Sequence, residues 1–139
     1  MKTRSLLIAA VILLAGAAAW NMSATPDQPA ASAGAPLMKV SVPTLSPSVE
    51  AGKAVFDANC AACHGANAAG KDGAGPPLVH KIYEPNHHGD MAFFLAARNG
   101  ARAHHWPFGD MPPVEGISEN DIGKVVSYVR ELQRANGIF

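Results

Sequence analysis

Cys60-Ala61-Ala62-Cys63-His64 is the stretch on which the reading of this chain turns. On a helix end, residues at i and i+3 share a face, so the two cysteines lie together and the adjacent His64 projects toward the same space. The chain has 2 cysteines in 139 residues, which excludes a disulfide scaffold and a four-cysteine zinc site. A redox Cys-x-x-Cys of the thioredoxin type needs a βαβ setting, and nothing in this chain reads as a sheet. A zinc knuckle needs further ligands at regular spacing. The pattern left is that of c-type haem attachment, in which two thiols become thioethers on the vinyl groups and the histidine nitrogen binds iron from the proximal side.

Working outward, Ser46-Pro47 reads as an N-cap followed by proline at N1, with Ser48 an alternative cap. Val49, Gly52, Phe56 and Cys60 then recur at helical spacings of three and four. Near the C-terminus Ser118-x-x-Asp121 resembles a capping box, and Ile122, Val125, Val126, Val129 and Leu132 follow on one face. Arg130 and Arg134 sit where cations suit the helix dipole. Between these helices, Asp90 reads as the cap of a short helix through Phe93, Phe94 and Leu95 that ends at Asn99-Gly100. The expected fold class is all-α: three to four helices in residues 46–139. Residues 65–89 and 101–117 are long irregular loops, and so small a domain, in a chain with 6% aromatic residues, builds a marginal core on its own. A large apolar cofactor at the centre resolves both difficulties.

A six-coordinate haem needs a distal ligand, methionine or histidine. Met111 stands in Gly109-Asp110-Met111-Pro112-Pro113, 47 residues after His64, where the prolines stiffen the loop. His104 and His105 are its rivals; Met91, beside Phe93 and Phe94, reads as core, and Met38 lies in the linker. Tyr83 and Trp106 are candidate haem-pocket or propionate partners, since each joins an apolar body to one donor. His80, His87, His88, His104 and His105 raise the question of a second metal, copper among them. Adjacent histidines in a regular element diverge, and no cysteine or thioether cluster accompanies them, so they read as exposed or propionate-bonding groups.

The N-terminal third differs. Lys2 and Arg4 precede the apolar run Leu6–Trp20, so residues 1–20 read as an export signal or an uncleaved anchor. Residues 21–45 are rich in Ala, Pro and Ser and read as a linker, in which Val40 and Val42 can lie extended on the domain although Pro43 disfavours a central strand. A linker of this length suits a tether, with residues 5–22 in the membrane and the rest exported to a bacterial-type periplasm, soluble or anchored. The whole chain has zero formal charge with 11 basic and 11 acidic residues, which removes the electrostatic case for a nucleic-acid partner. Residues 46–139 by themselves carry about −2.

Taken together, Gly52-x-x-x-Phe56, Cys60-x-x-Cys63-His64, Gly75-Pro76-Pro77-Leu78, Met111-Pro112 and Val125-x-x-Tyr128-Val129 resemble the class I cytochrome c family over about residues 49–136. The resemblance implies a small cytochrome c fold with one haem c per chain, covalently attached through Cys60 and Cys63, with iron held by His64 and Met111. It implies that the carbonyl of Pro76 accepts from the proximal imidazole, that Leu78 belongs to the loop closing that side, and that Gly52 lets the first and last helices cross closely against Tyr128. The expected function is one-electron transfer between redox protein partners such as a respiratory complex, oxidase or dehydrogenase. The protein is then a carrier and not an enzyme, either alone or as a subunit of a larger oxidoreductase. The competing readings are a haem protein with an open distal site, serving gas sensing or small-molecule chemistry, and a copper-handling role for the histidines.

Overall fold

Four α-helices and two short 3₁₀ turns carry the domain in a computed structural model that describes residues 34–139. The signal or anchor read at residues 1–20 and the linker up to residue 33 lie outside the described residues. Helix α1 spans Pro47–Asn59, α2 is the single turn Ala61–His64, α3 spans Asp90–Asn99 and α4 spans Glu119–Ala135. Among the described residues there is no strand; two isolated bridges, Lys71 with Gly75 and Ala101 with Met111, are the sole extended pairings. Also among them, no helix is long and apolar enough to cross a membrane. The all-α expectation holds.

The ends of the helices follow local chemistry. Ser46 caps α1 with its carbonyl, which accepts from Val49 and Glu50 at 3.0 and 2.9 Å, and Pro47 occupies the first helical position. Ser118 caps α4 by accepting from the Asp121 amide at 3.1 Å, and its hydroxyl donates to the Asp121 carboxylate at 2.7 Å. Helix α3 departs from the expectation. Its cap is Gly89, and Asp90 is the first helical residue, with its carboxylate accepting from the Arg130 Nε at 2.8 Å.

Helices α1 and α4 form the packed half of the domain. Phe56, Tyr128, Val129 and Leu132 have no exposed surface, and Ile122 has 1%. Each such side chain contributes roughly 1.5–3 kcal/mol of transfer free energy. The Phe56 and Tyr128 rings meet at 5.5 Å and 57°. Gly52 makes the crossing possible: a β-carbon there would overlap the Lys124 carbonyl oxygen and lie 3.1 Å from the Tyr128 Cβ. The Tyr128 hydroxyl donates to Asn67 Oδ1 at 3.1 Å, tying the seam to the turn after His64.

Two readings of side chains need correction. Arg130 is not a solvent-facing cation of the helix end. It is buried, and its guanidinium donates to the Tyr83 and His88 carbonyls at 2.7 and 2.5 Å as well as to Asp90 and Gln133. The reason is spacing, since Arg130 follows Val126 by four and shares its inward face. Met91 is not core: it is 65% exposed on α3, a helix with no fully buried residue.

Residues 34–45, within the stretch read as linker, run along the domain. The Met38 amide donates to the Ala69 carbonyl, and Ser41 exchanges two bonds with the Asn136 side chain, all at 2.9 Å. Val40 and Leu45 pack on the core.

Candidate functional site

His64 is placed by the shortness of α2. Cys60, at φ −121° and ψ −33°, bends the chain between α1 and α2. Gly65, at φ +72°, ends the turn in a conformation that favours glycine. The Gly70 amide donates back to the His64 carbonyl at 2.7 Å, which folds the next loop under the imidazole. Gly75 presses against Cys63, where an added β-carbon would stand 2.7 Å from the Cys63 carbonyl oxygen. This close approach delivers the Pro76 carbonyl to the His64 Nδ1 at 2.9 Å.

A carbonyl only accepts, so Nδ1 carries the proton and Nε2 keeps its lone pair. Burial pulls the His64 pKa below its ordinary value, and the Pro76 bond only partly opposes that. The residue is therefore neutral at neutral pH, which is the ligating form of imidazole.

His64 opens onto a cavity of about 370 Å³ enclosed by α2, α3, α4 and the loops between them. That volume lies in the range of small-molecule and cofactor sites, ~300–1,000 Å³. Its walls are mostly apolar, from Leu78, Phe93, Ile122, Val125 and Val126. Of the residues singled out in the sequence, Cys60, His64, Pro76, Leu78, Tyr83, Trp106 and Met111 line it, and so do His88 and the two rival ligands His104 and His105. Cys63 is exposed and does not. The two cysteines stand 3 residues apart on the bend and are not joined in a disulfide. Burial, with the neighbouring Cys63 adding to it, pushes the Cys60 thiol up to about 11.

Met111 reaches the cavity from the far loop. Its amide and carbonyl pair with those of Ala101 at 2.8 and 3.0 Å, stapling the residue to the end of α3. Gly100, at φ +78°, allows that pairing: a β-carbon there would meet the Met111 carbonyl oxygen at 2.5 Å. The Val114 amide donates to the Ala97 carbonyl at 2.8 Å and fixes the stretch beyond the prolines.

The cavity fits a haem on two independent observations. A neutral imidazole with a free Nε2 lines it. The indole Nε1 of Trp106 is buried with no hydrogen-bond partner, a donor that a propionate would satisfy. Trp106 also stands close enough to Tyr83 to offset part of the rise that burial imposes on that phenol. Their contact stops short of a sound hydrogen bond, so the orphaned donor stands.

The histidines do not scatter as adjacent residues of a regular element would. His87 and His88 lie in a turn, with both amides donating to the Glu84 carbonyl at 3.0 and 2.8 Å. His87, His88 and His105 bring their ring nitrogens within 4.8 Å of one another. His80 stands apart: its Nδ1 accepts from the Ile82 amide at 3.2 Å, capping a 3₁₀ turn.

The sequence reading missed the positioning residues. Arg130 and Gln133 hold the Tyr83–His88 segment, Gln133 by donating to the Leu78 and Tyr83 carbonyls at 2.8 and 3.1 Å. The available signal was that both polar residues fall on the apolar face of α4.

No curated protein matches the chain. A family model described as Cytochrome c matches residues 49–133, from the first turn of α1 to the last turn of α4. With the match covering well over half of the sequence and enclosing the cavity, the chain belongs to the cytochrome c family, haem-based electron carriers that bind the cofactor covalently and work with redox partners.

Proposed function

We propose that this protein is a one-electron carrier, not an enzyme, in which Cys60 and Cys63 would attach one haem c and His64 and Met111 would hold its iron. The observation that carries the proposal is the convergence of a neutral, carbonyl-anchored His64 and a backbone-stapled Met111 on a single cavity. The haem supplies a ferrous–ferric couple, and thioether ligation favours the ferrous side relative to two imidazoles. The protein's part is to orient and exclude. Pro76 fixes the His64 tautomer and raises its basicity. Leu78, Phe93 and Val125 line the cavity with apolar surface that disfavours water, and the Trp106 indole would donate to a propionate.

The working location is the exported side of a membrane, a bacterial-type periplasm, with residues 5–22 as tether. The cationic start and apolar run of the sequence support this. Partners are redox proteins met in weak, transient contacts. Leu95 is 51% exposed and also lines the cavity, and Met91 lies one turn away, so α3 offers an apolar rim for such a contact. A tether raises the local concentration of both partners and offsets the want of a basic steering surface.

Optical spectra of the haem-loaded protein test the ligand set. The ferric form should show the weak long-wavelength sulfur-to-iron band, and the ferrous form should not bind carbon monoxide. Met111→Ala should keep the haem attached, lose the band, bind carbon monoxide and lower the midpoint potential. A wild-type protein that lacks the band and binds carbon monoxide has an open distal site, and the carrier reading then gives way to sensing or small-molecule chemistry.

A further inference from the structure

Two loops that the electron-transfer reading leaves without a role converge on one point. The turn Glu84–His88 brings His87 and His88, and the loop after α3 brings His104 and His105. The four rings form a continuous cluster. His104 lies 4.2 Å from His105, His87 lies 4.6 Å from His88, and His88 lies 5.3 Å from His105 between centroids. His87, His88 and His105 each place a ring nitrogen within 4.8 Å of the other two.

We infer that His87, His88 and His105 form a second metal site, separate from the haem ligands, that takes a divalent late transition-metal ion, Cu²⁺ foremost.

Four features support a cation over an anion. The His88 Nδ1 donates to the Ile82 carbonyl at 2.7 Å, so its Nε2 offers a lone pair; a backbone carbonyl behind the ring is the usual way a ligating imidazole is oriented. The neighbouring His104 is set in the same manner, its Nδ1 donating to the Arg102 carbonyl at 2.7 Å. The rings are also crowded: His105 lies 5.5 Å from His87 and 5.3 Å from His88 between centroids. Ring nitrogens that offer lone pairs to one point suit a metal ion. Finally, the backbone on both sides is fixed. Arg130 grips the His88 carbonyl, and the Asp110 carboxylate accepts the Ala103 amide at 2.8 Å.

Three nitrogens about 2.0–2.1 Å from one ion stand roughly 3.3 Å apart in tetrahedral geometry. Closing the cluster to that spacing takes only side-chain rotation, and His87 and His105 are exposed and free to make it. An imidazole-only set binds Cu²⁺ and Zn²⁺, with Cu²⁺ the tighter in the Irving–Williams order. His88 and His105 also line the cavity, so an ion here sits at its mouth, and its positive charge favours the reduced state of a haem inside.

The test is a Cu²⁺ titration of the haem-loaded, full-length protein followed by electron paramagnetic resonance, with Zn²⁺ used where the haem potential is read. One equivalent of Cu²⁺ should bind with a nitrogen-rich signal. The variant His87→Ala, which removes the one ligand of the three that does not line the cavity, should weaken binding at least about 10-fold while keeping the wild-type haem spectrum. His80→Ala should bind as the wild type does. Zn²⁺ should raise the midpoint potential of the wild type and do so in His87→Ala only at higher concentration. Non-saturable binding, or binding that survives His87→Ala at full strength, overturns the site. So does a His87→Ala variant whose haem spectrum changes, because the histidine then serves the iron or its propionates.

Discussion

The seam between α1 and α4 and the wall formed by α3 are built by different rules. Helix α4 contributes eight buried residues, and its Tyr128, Val129 and Leu132 are wholly enclosed against Phe56 and its neighbours. Helix α3 has no buried residue and leaves Met91 and Leu95 more than half exposed. Side chains of the polypeptide fill the first region, whereas the second surrounds a cavity of about 370 Å³. An interior packed as densely as a crystal does not leave such a space beside its core unless something else completes it. The comparison teaches that one half of the domain is a scaffold and the other a socket. Arg130 joins them, rooted in α4 and bonded to the socket at Tyr83, His88 and Asp90.

The sharpest way to break the scaffold is at its closest approach. Gly52→Val places a β-carbon on the Lys124 carbonyl oxygen and should cost about 3 kcal/mol or more. Chemical denaturation of the haem-loaded protein measures it, and a cost under about 1 kcal/mol would show that the helices do not cross so tightly.

Cutting the joint comes next. Arg130→Lys keeps the charge but cannot reach three carbonyl and carboxylate partners at once, and should cost about 2–4 kcal/mol. Hydrogen exchange should speed up in residues 83–99 while the α1–α4 seam keeps its protection. Equal loosening of both regions would mean that scaffold and socket are one cooperative unit.

Tyr128→Phe is milder, removing one hydrogen bond to Asn67 for about 1 kcal/mol at neutral pH. It also has a pH signature. Burial, then the charge of Asp57, raises the Tyr128 phenol to about 12. The unfolded phenol therefore ionises first, near its ordinary value of about 10. This group leaves stability independent of pH below about pH 10, and as pH rises toward 12 the wild type loses stability relative to Tyr128→Phe. Tyr83 shifts in the same direction, so the difference between wild type and Tyr128→Phe isolates the share of Tyr128. A stability curve with the same alkaline slope in both proteins would show that the phenol is solvated.

The smallest effect belongs to the socket's outer face. Met91→Ala should change stability by less than about 0.5 kcal/mol, as its 65% exposure requires. A larger loss would mean that Met91 is covered. A slower electron exchange with partners at unchanged stability would mark it as contact surface.

Much of this was legible in the sequence because the signals were local. Cys60-x-x-Cys63-His64 sets its own geometry within one turn. Ser118-x-x-Asp121 announces the start of α4, and the spacing of Val125, Val129 and Leu132 announces its buried face. Met91 was misjudged because apolar neighbours suggest burial only when something covers them, and α3 has solvent on that side. Asp90 was misplaced by one position because glycine leaves no side-chain signature as a cap. The strap at 34–45 lacks periodicity, and its fastening to Asn136 spans 95 residues, so no local window contains both ends.

The sequence by itself determined the chemistry at Cys60–His64, the helical class and the two long helices, because covalent spacing and a 3.6-residue period are properties of neighbours along the chain. Tertiary structure alone decided that His64, Tyr83, Trp106 and Met111 line one cavity. It also decided that Arg130 points inward to hold their loops, and that histidines from two loops converge at the cavity mouth. Those outcomes depend on where backbones cross, and the crossings are set by two close approaches, at Gly52 and at Gly100. Their partners, Lys124 and Met111, lie too far along the chain for any local pattern to pair them.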